Sequence, residues 1–580
     1  MENQYLLIIW AVFFIFLGIA NKLFDSHKNI PRPLQIVTPL LFPLIPIFLL
    51  WILHYNVLNN WWMLDDPCHL FYLSQNGIYP AFFDNTRSFS PINFTPLFPL
   101  SLGIDFGLFG FYPPPFYWHH LISLSILLLT AYVFLVRFMS PLITVVALSL
   151  FVASVPVCDS ANLLMTRHYI EGLSFTLISL HIFFKALDRN DINYSWGSTF
   201  FYFLACLAKE VYVPLIFLII AITAFSPSAI KSRIKLLYPF FLAAAVYTLW
   251  RFFMLSASGM LTAYSHIPLT YKNILYLPLS IIKTMEWNSS GQSIVIGVLF
   301  IAFLMYAVKN TWKENVVILL CILGVVLPII PVSNVLSSRY LFVFSFLFFI
   351  GAGLGLQYIS EISLLKTYRN EILIFFGIAS IIICVLHIEK STMTWREYGK
   401  QIRAEGEFLL YNEDPNNLLV TSHGHCYWAY SALRKNMLGL PQGASFCVRD
   451  CICPYLHPDK KVWIDIRGQL FEAKTVRTQK NPEDCGAKRE LKIVCSYTKG
   501  TLKWKFGPYV QGGRYLLFLR GWDSGLIQVK REGAIEQKFD LNADFIIVKY
   551  ESYEGWSTYS PVLRLNTSGA NDEGFLNWHR

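Results

Sequence analysis

Apolar stretches long enough to cross a bilayer recur along most of this chain, and they leave it few folds. A hydrocarbon core about 30 Å thick needs about 20 apolar residues in a helix, and an unpaired backbone is not tolerated there. Such stretches fall near residues 4–20, 34–54, 119–136, 141–157, 171–186, 196–208, 211–226, 236–254, 293–308, 315–331, 340–357 and 371–388. They predict an α-helical polytopic membrane protein of about twelve spans. The stretch at 196–208 is short, and 272–287 reads as a re-entrant or surface helix. Hydrophobic residues make up 55% of the 580 and charged residues 14%, with a mean hydropathy of +0.46. No ordinary water-soluble domain has that balance. The first stretch lacks a basic flank and a small-residue cleavage site, so a retained span is expected rather than a signal peptide.

Lysine and arginine set the expected orientation. One set of loops carries Lys22, Lys28, Arg32, Arg137, Lys185, Arg189, Lys231, Arg233, Lys235, Lys309, Lys313, Lys366 and Arg369. The opposite set carries far fewer, chiefly Arg87, Arg167, Lys209, Arg251, Lys272, Lys283 and Arg339. The positive-inside rule assigns the first set to the cytoplasm and everything after residue 388 to the outer face. The net charge of +10 partly reflects this bias and does not point to nucleic acid.

The chain changes character near residue 390, which divides it into a polytopic region, 1–389, and an extracytoplasmic β-rich domain, 390–580. A helical stretch over 393–411 leads into short β-branched and aromatic runs, among them Val462–Ile466, Leu502–Phe506 and Phe545–Val548. Six of eleven cysteines lie there: Cys426, Cys447, Cys451, Cys453, Cys485 and Cys495. An even number outside the cytoplasm reads first as disulfides. A metal site at His423, His425 and these cysteines is the competing reading, although the spacing suits zinc poorly. Cys68 and Cys158 face the same side, either packed or paired.

Between the second and third stretches stands the adjacent acidic pair Asp65-Asp66, directly after Trp61-Trp62-Met63-Leu64. Two carboxylates at a membrane surface are costly unless they serve a purpose, and one of them can accept a proton while its neighbour sets the field. The same face is expected to hold Arg167, Glu171, Lys209, Glu210, Arg251 and Arg339, at or near helix ends, with His120 and Tyr340 beside them. Singly, each basic residue reads as a snorkelling side chain. Together, acids and bases on one face describe a site for an anionic membrane-borne ligand.

The order of these pieces resembles the GT-C superfamily of polyprenyl-phosphate-sugar-dependent glycosyltransferases. Its likeness is to the transmembrane O-mannosyltransferase branch of the protein O-mannosyltransferases and to their bacterial relatives. The matching pieces are Leu64-Asp65-Asp66, Asn93–Leu97, Leu108–Pro113, Tyr117–Leu121, Arg167, Leu207-Ala208-Lys209-Glu210, Pro331–Val335 and Ser338-Arg339-Tyr340-Leu341. The likeness spans about residues 34–390; the tetratricopeptide repeats common in that branch do not follow, which leaves the acceptor open. The resemblance implies an inverting transfer of one sugar from a polyprenyl-phosphate donor to an acceptor hydroxyl, on a protein or glycolipid, at the extracytoplasmic face. Asp65 would be the base and Asp66 its support. Lys209, Arg339 and Arg167, with Tyr340, would bind the phosphate. His120 would either hydrogen-bond in the pocket or serve structurally at a helix start, and Arg251 would assist, while Glu171 and Glu210 would pair with Arg167 and Lys209. No cofactor or essential metal is expected, since the acids form no Asp-x-Asp pair. A flippase of a lipid-linked sugar and a membrane-anchored binding protein are the alternatives. A flippase would place charges near the midplane, often on repeated halves; a binding protein would give the outer polar residues no task.

Overall fold

The computed structural model describes residues 41–90, 93–225, 233–262, 271–286, 290–309, 311–361, 369–421, 426–441, 443–448, 461–472, 486–498, 500–519, 527–536, 545–567 and 574–580. The expected span at 4–20 lies outside them, as do His423, His425, Cys451, Cys453 and Cys485. The described chain divides into two compact units. The first holds residues up to Asn60 and from Gln75 to Arg396; the second holds Trp61–Ser74 and residues from Glu397 to Arg580.

The helices in chain order are α1 (Leu44–His54), α2 (Asp66–Asn76), α3 (Leu97–Phe109), α4 (Pro113–Leu135), α5 (Pro141–Val152), α6 (Val155–Asn162), α7 (Arg167–Arg189) and α8 (Ile192–Ala208). They continue as α9 (Leu215–Phe225), α10 (Tyr238–Thr262), α11 (Tyr271–Thr284), α12 (Ser290–Lys309), α13 (Trp312–Val326), α14 (Phe342–Ser360), α15 (Arg369–Tyr411) and α16 (Trp428–Leu438).

Among the described residues, six helical stretches are long and apolar enough to cross a membrane: Pro113–Leu135, Leu164–Arg189, Ile234–Leu255, Trp312–Ile330, Ser338–Ser360 and Leu373–Tyr411. The pair α5 and α6 makes a seventh, bent by 60°. Its break has a local cause. Ser154 is extended, and Pro156, which lacks an N–H, starts the second helix instead of continuing the first. Shorter apolar helices at Leu44–Asn59, Leu97–Phe109, Glu210–Phe225 and Ser293–Lys309 fall on other expected segments, except Leu97–Phe109, which sequence reading left in a loop. Helices pack closely where small residues permit it. A Cβ on Gly355 of α14 would lie 2.3 Å from the Ala302 carbonyl of α12, so only glycine fits.

Helix α15 is about 65 Å long at 1.5 Å per residue, roughly twice a hydrocarbon core. Its apolar first half matches the expected span at 371–388. From Lys390 it is polar, with Arg396, Glu397, Lys400, Arg403, Glu405 and Glu407, and so reads as extramembrane. The boundary between the units falls within it, at Arg396/Glu397.

In the second unit, a sheet of order β2-β1-β3-β4 pairs β1 (Asn417–Thr421) in parallel with β2 (Ser445–Val448) and β3 (Lys461–Ile466). Strand β4 (Gln469–Glu472) closes it antiparallel, and α16 connects β1 to β2, as a parallel pair requires. Two antiparallel sheets follow. One contains β7 (Gly513–Leu519), β8 (Ile527–Val529), β10 (Ile546–Ser552) and β11 (Ser557–Tyr559), in the order β11-β10-β7-β8. The other contains β5 (Lys492–Thr498), β6 (Thr501–Gly507), β9 (Glu532–Glu536), β12 (Asn566–Thr567) and β13 (Gly574–His579), in the order β12-β13-β5-β6-β9. Ile493 and Cys495 of β5, Leu502 and Phe506 of β6, Leu517 and Leu519 of β7, and Ile546 and Val548 of β10 share one buried core. The alternation read from the sequence is therefore a sandwich interior.

The cysteines divide differently from the first reading. Cys68 bonds Cys426, while Cys158 is buried and free. Cys495 is also buried and free, so the six cysteines after residue 390 do not all pair among themselves.

Candidate active site

The acidic pair belongs to the second unit. Asp66 opens α2, and the turn before it is closed twice. The Asp66 N–H donates to the Met63 carbonyl at 2.8 Å, and the Met63 N–H donates to Asp66 Oδ2 at 2.9 Å. Leu64 stands in this turn at φ +45°, a backbone conformation rare outside glycine. Asp66 is 3% exposed, and a carboxylate suits the positive end of a helix. Asp65 is half-buried, and its carbonyl accepts the His69 N–H at 3.0 Å. The turn thus holds the Asp66 carboxylate and presents Asp65 beside it. Trp61, Trp62 and Met63 are buried and anchor the run in the protein. Trp61 lies so close to α15 that a Cβ on Gly406 would sit 2.3 Å from its indole nitrogen.

A buried polar group in the same unit lies on the polar half of α15. Glu405 accepts hydrogen bonds from Thr421 Oγ1 and Tyr427 Oη, each at 2.7 Å. Burial pushes its carboxyl up to about 7, against the pull of those two donors.

The four basic candidates in the first unit separate into two kinds. Arg167, fully buried at the start of α7, donates to Asp105 Oδ2 at 2.6 Å and to the Phe116 carbonyl at 2.7 Å. Arg251 Nε donates to Glu210 Oε1 at 2.7 Å, and that oxygen also accepts the Phe94 N–H at 3.0 Å. Both guanidiniums are neutralised by carboxylates of the fold.

Lys209 and Arg339 differ. Among the described residues no carboxylate lies within salt-bridge distance of either; burial first, and then the nearby Arg339, disfavour the Lys209 charge. The Lys209 ammonium lies over the Tyr169 ring at 5.4 Å; the Arg339 guanidinium lies over Tyr340 at 5.3 Å and 3.2 Å from Met165 Sδ. The carboxylates that act on them from farther away are engaged elsewhere. Glu210 is held by Arg251. Asp159 accepts from Ser338 Oγ and, at 2.6 Å, from Trp395 Nε1.

The expected acid–base partners are therefore corrected. Glu171 bonds Ser101 Oγ at 2.7 Å, while Asp105 takes Arg167; Glu210 takes Arg251 and not Lys209. His120 is fully buried with Nε2 at 2.7 Å from the Ser160 carbonyl, which fixes the proton on Nε2 and ties α4 to α6. Asp159 is a site residue that the sequence reading did not include, although a carboxylate just past an apolar stretch, at 141–157, was a signal for it. Among the described residues, no group of three His, Cys, Asp or Glu side chains is arranged to hold a metal ion.

No protein-family model matches the chain, and no curated protein does. One solved structure similar to it is the oligosaccharyltransferase of Archaeoglobus fulgidus, tethered through a disulfide to an acceptor peptide containing the NVT sequon. The identity is 11%, with 75% of this chain and 74% of that one covered at a TM-score of 0.41.

Proposed function

We propose that the protein is an integral-membrane glycosyltransferase that moves one sugar from a polyprenyl-phosphate donor to an acceptor hydroxyl on the extracytoplasmic face. The observation that carries this reading is the pair Lys209 and Arg339, two adjacent cations without a carboxylate in contact. Two half-buried cations without a carboxylate in contact favour an anion that both can bind. A lipid phosphate is the anion that membrane helices meet.

In this reading Asp65 accepts the proton of the attacking hydroxyl while the hydroxyl oxygen bonds to the anomeric carbon. The bond from that carbon to the phosphate oxygen breaks with inversion, and the polyprenyl phosphate leaves with its electron pair. Lys209 and Arg339 meet the growing charge on that oxygen. Asp66 holds the turn, and Tyr340 supports Arg339. A transporter would need no base, and its rate would not depend on Asp65. The test supplies purified protein in liposomes with polyprenyl phosphate carrying a labelled monosaccharide, and cell-envelope extract as acceptor. Label should enter the extract and free polyprenyl phosphate should accumulate; movement of intact donor across the bilayer with neither product would overturn the proposal.

A further inference from the structure

A cavity of about 290 Å³ opens between α11 and the stretch 327–336, lined by Ser280, Lys283, Thr284, Glu286, Ser333 and Leu336. All six belong to the first unit. Ser280, Lys283 and Thr284 are spaced by three and four residues, so α11 presents them on one face. Leu277 and Ile281 of this helix are buried, while Ile274, Leu275, Leu279 and Ile282 are exposed, which suits the surface helix expected over 272–287. Two bonds fix the walls. Asn273 Nδ2 donates to Ser333 Oγ at 3.1 Å, and Thr284 Oγ1 donates to the Leu336 carbonyl at 3.4 Å. Ser333 is 2% exposed, and its own proton has no acceptor among the described residues. A buried donor left open is costly unless a ligand meets it. Glu286 follows the helix at φ +55°, a strained backbone of the kind that gathers at binding sites. Its Oε2 lies 3.4 Å from Ser391 Oγ and 3.5 Å from His387 Nε2, both on α15, while Oε1 has no partner among the described residues.

The cavity neighbours a cation proposed to meet the phosphate. Leu336 stands three residues before Arg339, and Asp159, bonded to Ser338, is near enough to feel the charges of both Glu286 and Arg339. Lys283 and Arg339 also fall in loops expected on the same outer face. Three hydroxyls, one ammonium and one carboxylate make a set of donors and acceptors for a polyol. The volume is at the small end for ligand pockets, enough for one ring and not for an oligosaccharide. Lys283 and Glu286 balance in charge, so a charged substituent placed between them meets a like charge as well as an opposite one. A neutral ring meets no such repulsion. Resting on the proposed transfer from a lipid phosphate, we infer that this cavity seats the donor's sugar, that the sugar is a single neutral, hydroxyl-rich ring, and that Ser280, Lys283, Glu286 and Ser333 determine its specificity.

The experiment measures binding rather than turnover, with the full-length protein in liposomes and labelled lipids of four kinds. These are bare polyprenyl phosphate and polyprenyl phosphate carrying a neutral hexose, a hexuronic acid or an amino sugar. The hexose lipid should bind about tenfold more tightly than the bare lipid, the worth of one or two hydrogen bonds. The two charged-sugar lipids should bind no more tightly than the bare one. Ser280→Ala and Glu286→Ala should each lose most of the hexose gain while binding the bare lipid as wild type does. Glu286→Gln leaves Lys283 unbalanced and should bind the hexuronic lipid about tenfold more tightly than wild type does, a gain that damage to the fold cannot produce. Equal binding of hexose and bare lipid by wild type, or a charged sugar bound better than the hexose, would overturn the inference and leave the phosphate reading standing. Failure of every lipid to bind would overturn the phosphate reading and the inference with it. A hexose lipid bound as expected but never transferred would overturn the reaction and keep the sugar's seat.

Discussion

Asp66 and Met63 close a turn upon each other, the Asp66 carboxylate accepting the Met63 N–H at 2.9 Å and the Met63 carbonyl accepting the Asp66 N–H at 2.8 Å. The neighbouring acids therefore differ in kind. Asp66→Ala removes the side-chain acceptor and should cost about 1–2 kcal/mol with increased exchange in 61–74. Asp65→Asn should leave thermal stability within about 0.5 kcal/mol of wild type. Equal losses of stability in both variants would show that Asp65 is structural too.

The uncompensated cations give a prediction about the donor. Lys209→Ala and Arg339→Ala should each weaken binding of polyprenyl phosphate about tenfold to a hundredfold, the worth of one charge-assisted hydrogen bond. Each should also slow turnover at saturating donor. Arg339→Lys should restore only part of this, because a point ammonium lacks the planar fork. Titration with labelled polyprenyl phosphate checks both, and unchanged affinity in the two Ala variants would place the phosphate elsewhere.

Arg167 should behave differently, through stability. Arg167→Ala leaves the buried Asp105 with His119 Nδ1 at 2.8 Å but without its guanidinium, and removes the Arg167 donor from the Phe116 carbonyl, at a cost of about 3–5 kcal/mol. The double variant Arg167→Met with Asp105→Leu should recover most of that loss. Monodispersity after heating in detergent measures both.

Much of this division was readable beforehand, and some was not. The six long apolar helices among the described residues, the helix over 393–411 and the strands from Val462 onward follow from apolar length and alternation, which local sequence records. The partner of each charge does not. Arg167 meets Asp105 from 62 positions away and Arg251 meets Glu210 from 41, separations that no motif encodes. The same holds for Cys68, whose partner at Cys426 draws 61–74 into the C-terminal unit. The expected boundary at 389/390 therefore missed that these acids belong with the later residues. Asp159 stands two residues past the apolar stretch at 141–157, and its partners Ser338 and Trp395 come from far along the chain.

Glu405 sets a pH dependence. Its carboxyl, at about 7 in the fold against an ordinary 4.5, binds a proton more tightly folded than unfolded. Its stabilising share is thus complete below about 4.5 and is lost as pH rises through about 7, by at most about 3 kcal/mol. Glu405→Gln keeps an acceptor for Thr421 and Tyr427 without the charge. Thermal midpoints from pH 5 to 8 should fall for wild type and stay level for Glu405→Gln.

Orientation is tested by a reporter active only in the cytoplasm, fused after Arg580. It should be silent there and active when fused at Lys235. Activity at Arg580 would invert the topology and put Asp65 on the wrong face for the proposed acceptor.

The central claim, that Asp65 is the base of a sugar transfer from a lipid phosphate, is tested most directly by one paired assay. Wild type and Asp65→Asn are compared in liposomes with polyprenyl phosphate carrying a labelled monosaccharide, reading label in the acceptor fraction and donor affinity in parallel. Asn keeps the size of the side chain but cannot take the proton, so turnover should fall by about 10²–10⁴-fold with donor affinity unchanged. Transfer by Asp65→Asn at the wild-type rate would contradict the account.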